Sequence, residues 1–355
     1  MDRLKSATQK AMEGDRLDGQ EALALYTQTG LLALGQLAAR QRWRLKPEPV
    51  VTYVVDRNIN YTNVCVSGCL FCAFHAVPGD REGYVLSAEA LKQKLDETVA
   101  LGGTQVLLQG GMNPDLDLAY YKDLLRFIKS VSGLHIHGFS PPEIAFFARQ
   151  WGVSVETVLR ELMAAGLDSI PGGGAEILSD EIRKKISPGK CDTATWLAVM
   201  ETAHGLGLRS SATMMFGHIE KPRHVIEHLL AVRELQDRTG GFTAFIPWSF
   251  QPENTRLPGV TASASDYLKA VAISRLVLDN VPNIQASWVT QGDKISQVAL
   301  GFGANDMGST MIEENVVAAA GVRYRLPREA IVRLIEGAGF RAAQRDCFYR
   351  ILQYH

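Results

Sequence analysis

Three of the five cysteines in this chain fall within eight positions: Cys65, Cys69 and Cys72, in the string YTNVCVSGCLFCAFH at 61–75. Thiolates are soft ligands, suited to zinc and to iron–sulfur clusters. Three readings are open. Cysteines can be small buried hydrophobes, which is how we read Cys191 and Cys347, but a loop holding Asn63, Ser67 and Gly68 makes poor core. His75 could complete a closed Cys3His set for structural zinc. Alternatively, three thiolates could hold an iron–sulfur cluster. Such clusters normally take four cysteines, so one iron would keep an open position where a small molecule binds by its amino and carboxylate groups and receives an electron.

Other polar positions fall where strands should end. Gln109, Gly110 and Gly111 close the run LLQGG, where glycine lets backbone approach a ligand or simply turns. In HIHGFSPPEI, His135 and His137 alternate and so share a face. His137 could therefore look into a barrel mouth or be a satisfied core histidine. Ser140 reads as the N-cap of a helix opened by Pro141-Pro142. Glu176 follows the glycines of IPGGGAEIL and could favour a helix N-terminus. His218 and Glu314 join His137 as candidate bases, by placement alone. The lining these positions suggest is aromatic and neutral-polar, suited to a nucleoside-like or aromatic substrate. No phosphate loop, nucleophile elbow or zinc-protease motif is present.

The elements that must hold these residues alternate. Short β-rich runs at 51–55, 105–109, 134–139, 167–171, 210–216, 242–248 and 283–288, with a weak one at 301–306, are bounded by Gly, Pro, Asn or Ser. Stretches of helical period lie between them, at 90–101, 193–206 and 222–238. Strict alternation implies parallel strands and right-handed crossovers. Eight units predict an α/β fold, a full or nearly full (β/α)8 TIM-type barrel. The first two strands stand about fifty residues apart, and the excess, roughly 57–87, holds the cysteines. It leaves the strand end where barrel active sites form. Residues 1–46 read as an N-terminal helical extension capping the barrel, 47–340 as the barrel, and 341–355 as a C-terminal tail packing on it.

Composition narrows the function. In 355 residues the hydrophobic share is 46%, the charged share 21% and the net charge −1. That supports a large core and leaves no electrostatic footprint for nucleic acid or an anionic membrane. No signal peptide or spanning segment is evident, so a cytoplasmic location is expected.

C-x3-C-x2-C with Phe71 before the last cysteine resembles the radical S-adenosylmethionine superfamily. That resemblance implies a [4Fe–4S] cluster on Cys65, Cys69 and Cys72, with S-adenosylmethionine on the fourth iron, and it favours the cluster over zinc. It also implies cofactor-binding roles for Phe71, Gln109, Gly110, Gly111, Ser140 and Glu176, the last accepting from a ribose diol. Strings such as NINYTNVC, FSPPEI, GLDSIPGGGAEIL, PWSFQPENT and QASWVTQG are similar to its menaquinone (futalosine pathway) and deazaflavin branch, over about residues 50–345. Within that branch the nearest likeness is to enzymes that cyclise dehypoxanthinyl futalosine. The implied chemistry is abstraction of the ribose C4′ hydrogen, radical attack on the benzoate ring, then loss of an electron and a proton. A low-potential donor such as flavodoxin or ferredoxin is implied as well. Two other outcomes stay open: addition of the adenosyl radical to 3-enolpyruvylbenzoate, or a cluster or zinc that only staples a loop. The sequence departs from the family at Ser67-Gly68 and His75-Ala76, where a basic pair and Tyr-Arg are usual.

Overall fold

The computed structural model describes residues 2–355. Its strands are β1 (Val50–Val54), β2 (Asp56–Asn60), β3 (Gln105–Gln109), β4 (His135–Gly138), β5 (Ser169–Ile170), β6 (Arg209–Phe216), β7 (Phe242–Ser249), β8 (Asp306–Ser309), β9 (Arg341–Arg345) and β10 (Ile351–Tyr354). Sheet β2-β3-β4-β5-β6-β7 is parallel throughout. β1 runs into β2 across Val55 but pairs elsewhere, in parallel with β8 and β9.

Two single bridges join the sheets, Phe245 to Ile284 and Gln285 to Asp306. Gln285 N donates to Phe245 O at 2.9 Å, and Ala286 N donates to Asp306 O at 2.8 Å. Hydrogen bonds therefore run through eight strand positions and close the barrel.

The strand expected at 283–288 shrinks to that one bridged step, because Trp288–Gln291 already turns as helix. The weak run at 301–306 is displaced: Leu300–Phe302 is a 3-10 turn and β8 begins at Asp306. Asn305 between them spends its side chain, accepting from Arg275 and from Ile284 N. The first strand also outruns its expected end, since DRNIN is strand and not loop. Its polar residues are all buried and each makes at least one side-chain hydrogen bond, although Arg57 Nε and Asn58 Oδ1 have no partner among the described residues. Gln105 and Ser309 donate to Asp56, Arg57 to Glu97, and Asn58 to Glu314 at 2.7 Å.

Period two sorts the faces. Gln105, Leu107 and Gln109 of β3 line an interior cavity, while Val106 and Leu108 point out into the strand–helix core. Helices Ala88–Ala100, Thr193–Gly205 and Pro222–Thr239 occupy the expected amphipathic stretches. Helices Asp2–Glu13, Gly19–Gln28 and Leu31–Leu45 precede β1. The last two pack on the flank formed by Pro222–Thr239 and Ala264–Val277. There Arg233 donates to Leu17 O and Arg16 reaches Asp237 and Asp279.

The C-terminal residues do more than pack on the outside. β9 joins β1 and turns back as β10, and the turn carries Arg345, Cys347 and Tyr349 onto the cavity lining. Tyr349 takes φ 64° to do so. Arg345 Nε lies 2.6 Å from Asp306 Oδ2, both side chains buried. These residues meet the strands at their N-terminal ends and so form the floor of the barrel. No helix among the described residues is long and apolar enough to cross a membrane.

Candidate active site

One cavity of about 410 Å³ extends from the cysteine loop at the strand C-termini to the floor. The loop is held by its own backbone. Cys65 N donates to Ala76 O, Ala76 N to Asn63 O, and the Asn63 side chain ties Glu82 and Tyr84. Gly111 is pressed onto it: a Cβ there would stand 2.0 Å from Val64 O. Any other residue would push the cysteine loop away. Met112 N donates to Cys65 Sγ at 3.3 Å, and Ser67 Oγ bridges Cys65 and Cys69 at 3.0 and 3.3 Å.

Cys65, Cys69 and Cys72 all face the cavity. Burial pushes the Cys69 thiol up, against the Lys190 charge and the Ser67 hydroxyl. At Cys72 burial acts the same way, but bonds from His75 and the backbone, with Lys190, reverse it and the thiol is lowered. Among the described residues, the only group of three or more His, Cys, Asp or Glu side chains with ligand atoms all within 4.8 Å of one another is His135, His137 and Cys347. The loop thiols and His75 are thus spaced more widely than a mononuclear zinc set, which brings four ligands to about 2.0–2.3 Å from one ion. Three separated thiols around open space fit a multi-iron cluster.

Lys190 lies beside the thiols. Its Nζ is 2.6 Å from Glu176 Oε1 and 5.0 Å from the centre of the Phe71 ring. The sequence reading missed this lysine, and only its place after the strand-four glycines hinted at it. Glu176 does not favour a helix end: the next helix is Asp180–Ile186, with Ser179 as its N-cap. Glu176 sits earlier, at φ 46° and buried, facing Lys190 and the cavity.

Gln109, Gly110, Gly111 and Ser140 also line the cavity. Gly173 leaves room for the Gln109 amide, which would be 2.5 Å from a Cβ there. The second missed residue, Glu143, is buried beneath this turn. It accepts from Gly110 N (3.1 Å), Ser140 N (2.8 Å), Ser140 Oγ (2.6 Å) and Tyr61 Oη (2.6 Å). The S-x-x-E spacing signals a capping box, but not the reach back to Gly110. Ser140 is a cap, as expected, with its hydroxyl proton directed to Glu143.

The three candidate bases separate. His137 lines the cavity, with Nδ1 2.7 Å from Ser169 Oγ, and burial lowers it to about 3. Glu314 also lines it, but its carboxylate accepts from Asn58 and from Val317 N. Burial holds that carboxyl above its usual range. His218 is a correction. It lies outside the lining, its side chain fully buried, with Nδ1 accepting from Ile219 N and Nε2 donating to Met215 O. The Gly217 turn, at φ 86°, faces it away from the barrel. Cys347 is buried, as expected, and it also lines the cavity floor, with Sγ 3.5 Å from Ser169 Oγ.

Known proteins place this arrangement in context. Residues 59–232 match the radical SAM superfamily, and residues 239–355 match the CofH/MqnC C-terminal region. Cyclic dehypoxanthine futalosine synthase of Halalkalibacterium halodurans is 47% identical over 97% of this chain and 94% of its own. The protein of that name from Streptomyces coelicolor is 46% identical over 99% and 90%. A 5-amino-6-(D-ribitylamino)uracil–L-tyrosine 4-hydroxyphenyl transferase of Archaeoglobus fulgidus is 45% identical over 85% and 89%. Among solved structures, methylornithine synthase shares the fold, with a TM-score of 0.74, 20% identity and coverage of 94% and 96%. With its thiol loop at the mouth of a parallel barrel, the chain belongs to the radical SAM superfamily, enzymes that use a [4Fe–4S] cluster and S-adenosylmethionine.

Proposed function

We propose that this enzyme converts dehypoxanthinyl futalosine to its cyclic form, a step of menaquinone biosynthesis by the futalosine route. The observation that carries the reading is one cavity with three thiols at its mouth and a lining of neutral amides and indoles below, including Asn60, Gln109, Gln285, Trp248 and Trp288. Both cations in that lining are paired, Lys190 with Glu176 and Arg345 with Asp306. Such a wall suits a ribose joined to an aromatic ring better than a polyphosphate. The two relatives that carry the synthase name, matched nearly end to end, support the same substrate.

Cys65, Cys69 and Cys72 would hold the [4Fe–4S] cluster, which with bound S-adenosylmethionine would supply the hydrogen-abstracting 5′-deoxyadenosyl radical. Gly110 and Gly111 would give the cofactor backbone to lie against, Phe71 and Ser140 would wall it, and Glu176 would accept from its ribose. The barrel orients the C4′–H bond toward the mouth and excludes water from the radical. His137 accepts the ring proton. The enzyme works in the cytoplasm and draws electrons from a low-potential flavodoxin or ferredoxin.

The test uses substrate deuterated at C4′. Label should appear in 5′-deoxyadenosine, and the product should be two hydrogens lighter than the substrate. An adenine-bearing adduct from 3-enolpyruvylbenzoate, with loss of carbon dioxide, would replace this reading with radical addition. The transferase of Archaeoglobus fulgidus motivates a parallel incubation with tyrosine and 5-amino-6-ribitylaminouracil, and turnover there would replace it with aryl transfer.

A further inference from the structure

Ser169 opens β5 on the barrel floor with two imidazoles on its hydroxyl. His135 Nε2 is 2.6 Å and His137 Nδ1 2.7 Å from Ser169 Oγ. With Cys347, these histidines form the one group of three or more ligand atoms within 4.8 Å of one another among the described residues. That spacing invites a cation. Ser169 Oγ, however, already occupies the space between them, and burial pushes the Cys347 thiol up to about 12, away from the thiolate a metal takes. The same geometry has another use. A serine hydroxyl carries one proton and two lone pairs, so it can accept from one imidazole while donating to the other.

The two ends of this chain differ. His137 lines the cavity, and its Nε2 is 3.4 Å from Ser211 Oγ. His135 lies below it, edge-on to Phe348, near Asp168, Lys129, Asp346 and Arg350. Asp168 and Lys129 are each 33% exposed and paired at 2.5 Å. Besides His135, the charge acting on His137 is Arg345, which Asp306 neutralises. One end therefore faces substrate and the other faces the charged outer surface of the floor.

We propose that His137, Ser169 and His135 form a proton exit from the cavity through the barrel floor. The inference rests on the cyclisation reading, in which the closed ring radical must become aromatic again. Its C–H bond breaks, the electron passes to a one-electron acceptor of the iron–sulfur class, and the proton passes to His137 Nε2. His137 Nδ1–H then hands its proton to Ser169, and Ser169 hands its own to His135 Nε2. His135 releases one to water. Burial keeps the His137 imidazolium unfavourable, so the proton does not rest there. His137 is the catalytic base; Ser169 and His135 act through it.

Single turnover with C4′-deuterated substrate separates the steps. Ser169→Ala should transfer label into 5′-deoxyadenosine at the wild-type level. Cyclic product per 5′-deoxyadenosine should fall about a hundredfold, the low end of general-base effects. Ser169→Thr, which keeps the hydroxyl, should restore the ratio, and His135→Gln should lower it should the alanine variant fold poorly. Melting temperature and iron content report folding. An unchanged ratio in folded Ser169→Ala and His135→Gln would overturn the exit. So would a stoichiometric metal beyond the cluster iron that His137→Ala loses. Absence of label transfer in the wild-type chain would instead bring down the substrate reading, and this inference with it.

Discussion

The mouth and the floor of this cavity are built on opposite plans. The mouth comes mainly from one contiguous loop, 61–75, with Gly111 pressed onto it and Lys190 and Glu176 beside it. The floor is assembled from distant pieces: Ser169 meets Cys347 across 178 positions, and Asp306 meets Arg345. Local ligands at close spacing can change their chemistry without changing the fold. A floor whose partners are buried and far apart in the chain contributes to the fold itself. Damage at the mouth should therefore remove activity and spare stability, while damage at the floor should remove stability first.

The largest effect expected is at the mouth. Replacing Cys65, Cys69 or Cys72 singly with Ala should abolish 5′-deoxyadenosine formation and lower iron and sulfide content, because two thiolates leave two irons of the cluster without a protein ligand. The melting temperature of the cluster-free protein should barely move. Cys191→Ala should retain turnover, since the Cys191 side chain lies outside the cavity and its carbonyl serves Arg183. Full activity in a Cys69→Ala protein would end the assignment.

At the floor, Arg345→Met should act in the opposite sense. It strands the Asp306 carboxylate, which is fully buried and accepts from Arg345 at 2.6 and 3.0 Å. Removing one partner of a buried pair costs about 3–5 kcal/mol. Urea unfolding should show that loss, with iron content per folded molecule unchanged. A variant as stable as the parent would show that the floor is not a keystone.

This contrast also explains what the sequence disclosed. The cysteine spacing, Phe71, the Gly-Gly turn and the first six β/α units are local patterns, and each is found where the chain suggests. β2 stayed hidden because DRNIN carries no apolar alternation, and its burial depends on partners such as Glu97 and Glu314, far along the chain. The bridge at Ile284–Gln285 and the start of β8 depend on the Asn305 side chain, which no propensity reports. The floor was least legible: nothing near residue 347 indicates that it returns to β5. Lys190 was hidden for the same reason, since a lysine after Pro-Gly looks solvated until Glu176 and Phe71 surround it.

Acid should weaken the floor further. His137 has a folded value of about 3 against a model-peptide value near 6.5. Between those values the unfolded chain binds more protons, so stability rises with pH and is lost as pH falls below about 6.5. His204, at about 4, and His228, at about 3, act in the same direction. Glu143 and Glu314, raised by burial, oppose it, gaining stability as pH falls. A difference between proteins isolates one group. His137→Gln should lose about 2 kcal/mol less than the parent between pH 7 and pH 5, from 1.36 kcal/mol per unit over the 1.5 units below 6.5. Equal losses by denaturant titration would mean that His137 is not held neutral.

The smallest expected effect returns to the mouth and tests whether its ion pair serves the cofactor or the fold. Glu176→Gln keeps size and shape but removes the charge facing Lys190 Nζ at 2.6 Å. The ammonium then remains buried over Phe71 and near Cys69 without its counter-charge. A residue that only braces the loop would lower the melting temperature and leave S-adenosylmethionine use alone. A residue that accepts from the cofactor ribose would weaken S-adenosylmethionine binding about tenfold, the low end for groups that orient a metal-centre ligand. Cluster content should stay intact, because no cysteine bonds to Glu176. We expect the second pattern, measured as a raised KM for S-adenosylmethionine with iron unchanged. The φ of 46° explains the preference: a non-glycine residue held in that region is a strained placement that turns its side chain into the cavity, and strain of this kind persists where a site uses it.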